Sequence, residues 1–154
     1  MSNGAKILLL SFLGTGAFAA AYLFLFLDMS HPEMKFETYG KVIEYGYDRS
    51  GWLPQQLPKT STNIREIHNP ETKQVLVSFE IPEVQLGEFI GQLGQASDPS
   101  TVCPPAGDIL ESASFWPDNF LNSLAADSFS LHASEGTMWV IDKIRSQAYY
   151  WTCQ

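Results

Sequence analysis

Basic residues are scarce in this sequence, and the chain is acidic overall. Nine lysines and arginines stand against seventeen aspartates and glutamates, which gives a net charge of −8 at pH 7. Residues 28–154 hold all of these charges except Lys6, so their own net charge is −9. Without a basic patch, binding to nucleic acid is disfavoured, and so is adhesion of this part to anionic lipid headgroups.

Histidine is also scarce, and no strong catalytic motif accompanies it. His31, His68 and His132 form no close pair of the kind that holds a metal ion. Ser130 and His132 would share one face of a strand, but no third group is placed to orient the histidine as a base. There is no nucleophile elbow and no phosphate-binding glycine loop. We therefore expect no catalysis, no cofactor and no metal; a hydrolase would need His68 or His132 beside acids in a cleft.

Cysteine occurs only twice, at Cys103 and Cys153. An even count in an oxidising compartment predicts a disulfide, and two free buried thiols are the alternative. A bridge would tie a proline-containing loop to the end of the chain. A redox-active pair is not expected, because the two residues lack C-x-x-C spacing.

One long uncharged run, at residues 7–27, lies between Lys6 and Asp28. A helix of this length spans ~30 Å, about the thickness of a bilayer's hydrocarbon core. A cleaved signal peptide is the alternative, with Ala17-Phe18-Ala19 as its site. Cleavage there would leave a strongly apolar N-terminus, so we expect an uncleaved single-pass anchor.

Charges beside the run predict its orientation. Positive residues stay on the cytoplasmic side, so residues 1–6 are expected inside and residues 28–154 outside. Gly14, Gly16 and Ala17 form a small-residue patch that permits close packing of a second helix, with ordinary bilayer-facing sequence as the alternative.

After a connector at residues 28–35, the sequence predicts one α+β domain at residues 36–154. The strongest strand signal is the alternation within residues 73–81. Helical spacing predicts a helix at residues 36–48, where a strand at 42–47 stays possible, and another helix opens at Pro82. Further strands are expected at residues 63–68, 128–133, 137–143 and 147–153. Together they predict an antiparallel sheet of about five strands with helices on one face.

Aromatic residues are concentrated in the C-terminal half and in one proline-rich loop. Trp139 and Trp151 fall on adjacent predicted strands and are expected to stack across them. Trp52 lies between a glycine and Leu53-Pro54. Packing in the core is the simpler interpretation of all three tryptophans. The functional hypothesis is that they face a partner.

The segment Gly51-Trp52-Leu53-Pro54, with Leu57-Pro58 and Asn63-Ile64-Arg65-Glu66 after it, resembles a pattern of uncharacterised bacterial membrane-anchored envelope proteins. The likeness covers roughly residues 36–82. It implies a bacterial inner-membrane protein whose domain lies in the periplasm. It implies no activity and no functional residue. The run at residues 65–68 is interpreted as a charged sheet face.

Two functions follow from these observations. The first is a non-catalytic accessory subunit or assembly factor of a larger membrane complex, with a membrane-protein partner. The second is a tethered periplasmic binding domain for a small molecule or an envelope polymer, which predicts a concave, aromatic-lined pocket.

Overall fold

The computed structural model describes residues 32–105, 107–124 and 127–153. Its centre is one antiparallel sheet of six strands in the order β1-β2-β3-β6-β5-β4. The predicted hairpin and C-terminal meander are therefore confirmed, and the fold is α+β. The strands are β1 (Met34–Thr38), β2 (Thr62–Asn69), β3 (Gln74–Glu80), β4 (Phe129–Ser134), β5 (Thr137–Asp142) and β6 (Gln147–Thr152).

Short helices connect these strands. The longest follows Pro82, as predicted, since proline is well suited to a helix start. The helices are α1 (Tyr39–Glu44), α2 (Glu83–Gln92), α3 (Gly107–Ser112) and α4 (Phe120–Ser123), with 3₁₀ turns at Tyr47–Arg49 and Pro99–Thr101. The described residues from Glu33 onward form one compact unit.

The first strand corrects the prediction of a helix at residues 36–48. β1 pairs with β2, so that Phe36 lies opposite Ile64, and the helix begins only at Tyr39. Thr38 ends the strand and caps the helix, because its side-chain oxygen accepts a hydrogen bond from the Lys41 amide at 3.4 Å. Pairing with a neighbouring strand outweighs the helical spacing of the aromatic residues, and the sheet gains a sixth strand.

Both faces of the sheet are buried, so the prediction of helices on one face was wrong. One face carries Ile64, Val77 and Phe79 and is covered by α1, α2 and the loop that contains Leu57. The opposite face is covered by residues from the irregular segment and α4. β3 lies at the centre, and six of its seven residues are buried. The second-face core comprises Ile67, Leu76, Ile109, Ala113, Phe115, Phe120, Leu124, Leu131, Met138, Val140, Tyr149 and Trp151.

A disulfide joins Cys103 to Cys153, which confirms the sequence prediction. Beside it, the Trp151 indole N–H donates a hydrogen bond to the Cys103 carbonyl at 2.8 Å. The bridge and this hydrogen bond together fasten the loop before α3 to the end of β6.

The predictions for residues 1–31 lie outside the described part of the chain. They are the cytoplasmic N-terminus, the anchor at residues 7–27, its patch of Gly14, Gly16 and Ala17, and the first half of the connector. Among the residues that the structure does describe, no helix has the length and apolar character needed to cross a bilayer.

Candidate functional site: Trp52 beside a buried carboxyl–imidazole pair

Trp52 lies in the loop between α1 and β2, which is held against the sheet. The Trp52 amide donates a hydrogen bond to the Ser50 hydroxyl at 3.2 Å. Further along the loop, Leu57 is buried and its amide donates to the Pro54 carbonyl at 3.0 Å. Proline fixes φ at Pro54 and Pro58. The loop therefore presents Trp52 in a defined position, with its side chain half-buried.

The indole ring of Trp52 stacks on the imidazole of His68. Their ring centroids are 4.1 Å apart and the planes differ by 13°. The ammonium of Lys73 lies 5.5 Å from the centroid of the Trp52 ring, within the range of a cation–π attraction. Since His68 is on β2 and Lys73 is the last residue of the turn that leads into β3, the hairpin holds the indole in place.

Beneath this stack, Glu66 is fully buried and both of its carboxyl oxygens have partners. Tyr47 donates its phenolic O–H to Oε2 at 2.5 Å, and His68 Nδ1 lies 2.9 Å from Oε1. Burial raises the pKa of Glu66 to about 7, although the hydrogen bond from Tyr47 lowers it. Burial also raises the pKa of Tyr47, and its hydrogen bond to Glu66 adds to that rise. The carboxyl group therefore keeps its proton to higher pH in the fold than an exposed glutamate does.

Strand geometry explains why these groups meet. Successive side chains of a strand point to opposite faces, so Ile64, Glu66 and His68 share the face of β2 that the Trp52 loop covers. Arg65 and Ile67 point to the other face. There Arg65 pairs with Glu33, its Nε being 2.6 Å from the Glu33 carboxylate. The charged run at residues 65–68 is thus divided between two buried layers.

An open depression of about 330 Å³ lies beside Trp52. Its floor is formed by neighbouring strands, because the Val75 amide on β3 donates to the Thr152 hydroxyl on β6 at 3.0 Å. Of the described residues that line it, Lys73 alone carries a charge. The lining comprises Ser50, Gly51, Trp52, Leu53, Lys73, Val75, Tyr150 and Thr152.

The carboxyl group of Glu66 does not line the depression. Glu66 is 0% exposed, and Tyr47 and His68 occupy its two oxygens. A ligand in the depression would instead meet the rings of Trp52 and Tyr150 and the ammonium of Lys73. Glu66 acts through His68, because it fixes the imidazole on which Trp52 stacks.

The three tryptophans of the partner-facing hypothesis have different positions. Trp139 is 3% exposed and Trp151 is 0% exposed, so neither reaches the surface of the domain. Trp139 lies opposite Tyr150 in the sheet, which places Trp139 and Trp151 on opposite faces. They therefore do not stack on each other. Only Trp52 of the three lies at a surface depression.

The two strand histidines are also separated. His68 is on β2 and His132 is on β4, with three strands between them. His132 lies 2.8 Å from the Ser130 hydroxyl on the same face of β4, and burial lowers the pKa of His132. His132 is 2% exposed, so this pair belongs to the interior. Within the described ranges, no group of three potential metal-ligating side chains comes together.

Sequence reasoning did not identify Tyr47, Glu66 and Lys73 as site residues. One signal was available in the sequence. Glu66 stands between Ile64 and His68 on a face of β2 that carries a buried aliphatic side chain, and a carboxyl group at such a position needs hydrogen-bonding partners. The long-range partner Tyr47, nineteen residues earlier in the chain, is visible only in the fold.

Comparison with known proteins finds a family match for part of the chain. Residues 31–80 match the family model of the YbbD head domain. This match indicates a bacterial family and is consistent with a group of envelope proteins. The matched segment contains Tyr47, Trp52, Glu66, His68 and Lys73. Neither the curated proteins nor the solved structures provide a match.

Proposed function

We propose that residues 36–154 form a non-catalytic binding domain for a small molecule or a unit of an envelope polymer. In this proposal, residues 7–27 anchor the protein in a bacterial inner membrane with the domain in the periplasm. The observation that carries the proposal is the depression beside Trp52, which is lined by two aromatic side chains, two aliphatic hydroxyl groups and one cation. Concave sites with aromatic walls and a few placed polar groups are typical of ligand binding.

The support beneath Trp52 favours binding. The ring stacks on His68, and His68 contacts a carboxyl group that is itself held by Tyr47. A side chain fixed in this way loses little conformational freedom when a ligand arrives, and such preorganisation strengthens binding. The loss of conformational freedom on binding is small also because the loop is already packed against the sheet through Leu57.

The experiment is a ligand screen with the full chain in lipid nanodiscs. Saturation-transfer NMR would record which of a panel of monosaccharides, sugar acids and short peptides contacts the protein. We expect at least one class of ligand to show transfer, and Trp52→Leu to remove it. Trp52→Leu keeps an apolar side chain but removes the aromatic ring.

Val84→Ala serves as the control variant, because Val84 on α2 is 92% exposed and does not line the depression. Thermal unfolding of both variants would show that they fold. A ligand whose signal survives in Trp52→Leu would place binding elsewhere, and a panel without any signal would count against a binding domain of this kind.

A second candidate function is that of an accessory subunit, and a different surface favours it. Ile43 and Tyr45 are 54% and 71% exposed and lie at the end of α1. Each presents a large apolar surface that a protein partner could cover. In this candidate, the surface of Ile43 and Tyr45 contacts a larger membrane complex to which the anchor also belongs.

Native mass spectrometry after extraction in mild detergent would test this candidate. We expect the wild-type protein to run as part of a larger complex, and a double variant with Ile43→Ser and Tyr45→Ser to run alone. Val84→Ser should behave like wild type, since Val84 is even more exposed but lies on another helix. A wild-type protein that runs without a partner would contradict the accessory role.

A further inference from the structure

We propose that the site beside Trp52 takes an acidic sugar, whose ring packs against Trp52 and Tyr150 and whose carboxylate pairs with Lys73. This inference rests on the proposed binding function and names the class of ligand. It is carried by the charge of the site, by the backbone at Lys73 and by the hydrogen-bonding groups around the depression.

The charge at the site has the opposite sign to the rest of the domain. Residues 28–154 carry a net charge of −9, yet Lys73 is the one charged side chain among the described residues that line the depression. Within the described part of the chain, its ammonium is paired with the Trp52 ring and with no carboxylate. An anionic group on a ligand would supply that partner.

The backbone at Lys73 indicates that its side chain has a role of its own. Lys73 has φ of +62°, a left-handed conformation that favours glycine or asparagine. At the other described positions with positive φ, the chain uses Asn63, Asn119, Ser146 and several glycines. A lysine is a poor choice for the turn itself, so its ammonium group is the feature that this position supplies.

The two aliphatic hydroxyl groups of the site each keep a hydrogen that they can donate. The Ser50 hydroxyl accepts the Trp52 amide hydrogen bond, and the Thr152 hydroxyl accepts that of Val75. Because each hydroxyl has one hydrogen to donate, both can offer it to a ligand. Together with the ammonium of Lys73, they suit a ligand rich in acceptor oxygens.

The rings and the size of the depression favour a sugar. A pyranose combines an apolar C–H face, which packs on an aromatic ring, with a rim of hydroxyl groups. A volume of about 330 Å³ lies at the lower end of ligand sites and suits one ring. The floor strands β3 and β6 are each paired on both sides, so a peptide cannot be added there as a new strand.

The test measures binding of glucuronate and glucose to the full chain in nanodiscs by NMR titration. The two sugars differ in one carboxylate. We expect glucuronate to bind roughly tenfold more tightly, the gain typical of a hydrogen bond to a charged group. Lys73→Asn should reduce glucuronate affinity to that of glucose, while its melting temperature stays equal or rises because asparagine tolerates the left-handed conformation.

Ser146→Asn is the matched control, since Ser146 also has positive φ, at +53°, but does not line the depression. It should leave glucuronate affinity unchanged. Equal binding of the two sugars at Trp52, unaffected by Lys73→Asn, would overturn the acidic-sugar assignment and leave the binding domain standing. Binding of an acidic peptide at Trp52 in place of either sugar would overturn it in the same way. Absence of binding by both sugars would overturn the acidic-sugar assignment, and absence of a signal from the whole ligand panel would overturn the binding domain as well.

Discussion

Replacement of Glu66 by glutamine should reduce the pH dependence of folding stability. The pKa of Glu66 is raised from 4.5 to about 7 in the fold because the side chain is buried. Between these values the folded chain holds a proton that the unfolded chain releases. The free energy of unfolding therefore decreases as pH rises through this window. Glu66→Gln keeps a neutral hydrogen-bonding side chain and removes the titration.

The size of the effect follows from the two pKa values. Linkage gives a loss of about 2–3 kcal/mol between about pH 5 and about pH 8 for one carboxyl group shifted in this way.

The assay is urea denaturation of the full chain in detergent micelles, at several pH values across this window. His132 changes the free energy of unfolding in the opposite direction. Burial lowers the pKa of His132, so the free energy of unfolding increases as pH rises through its titration. This contribution is present in wild type and in Glu66→Gln alike, so the difference between the two curves isolates Glu66. Near-UV circular dichroism would follow the packing of the aromatic residues.

The difference in stability between Glu66→Gln and wild type should become more positive as pH rises. Parallel curves for the two proteins would refute the reasoning, since they would mean that Glu66 titrates alike in the folded and unfolded chains. A difference of the opposite slope would mean that the carboxylate is stabilised in the fold, with an ion pair to His68 as the stronger influence.

Three further changes test the structure. Reduction of the Cys103–Cys153 bridge, which closes a loop with a sequence separation of 50, should lower the free energy of unfolding by ~4 kcal/mol in the chain-entropy model, as measured by denaturation with and without reductant. Arg65→Ala should cost about 1–3 kcal/mol in the same assay, because it removes hydrogen bonds to the mostly buried carboxylate of Glu33; an unchanged midpoint would contradict that. Trp139→Ala should cost about 3–5 kcal/mol through the cavity it leaves, and a much smaller loss would show that Trp139 is not in the core.

The strand pattern of the sequence was informative wherever one strand lies beside its chain neighbour. The hairpin of β2 and β3 follows from alternating apolar residues around a turn at Asn69, whose side chain accepts hydrogen bonds from the amides of Glu71 and Thr72. The β4–β5–β6 meander likewise uses short connections. Such local contacts are encoded within a few residues.

Contacts between distant parts of the chain were the ones that sequence did not reveal. β1 depends on pairing with β2 across an intervening loop, and local spacing of its aromatic residues favours a helix. The second buried face depends on Ile109 and Phe115 from a segment without a clear pattern. On β3, Leu76 shares a face with the polar residues Gln74 and Ser78, yet all three are buried.

In the candidate site, too, the sequence indicated local features and did not reveal contacts between distant residues. Trp52 was a candidate because it stands in a short proline-rich loop, where a large aromatic residue has few local partners. Trp139 and Trp151 were candidates because aromatic residues are concentrated in the C-terminal half. The register of β5 and β6 instead places these two side chains in two different cores. Glu66 was overlooked because its partner Tyr47 comes from another element, and burial of a carboxyl group depends on the whole fold.

The indole N–H resonance of Trp52 provides the most direct test of the binding proposal. Assignment through Trp52→Phe would identify it among the tryptophan signals of the full chain. During titration with glucuronate, we expect this resonance to shift progressively to saturation, while those of the buried Trp139 and Trp151 stay in place. A Trp52 resonance that does not move while the ligand binds would contradict the account, because the ligand would then occupy another part of the domain.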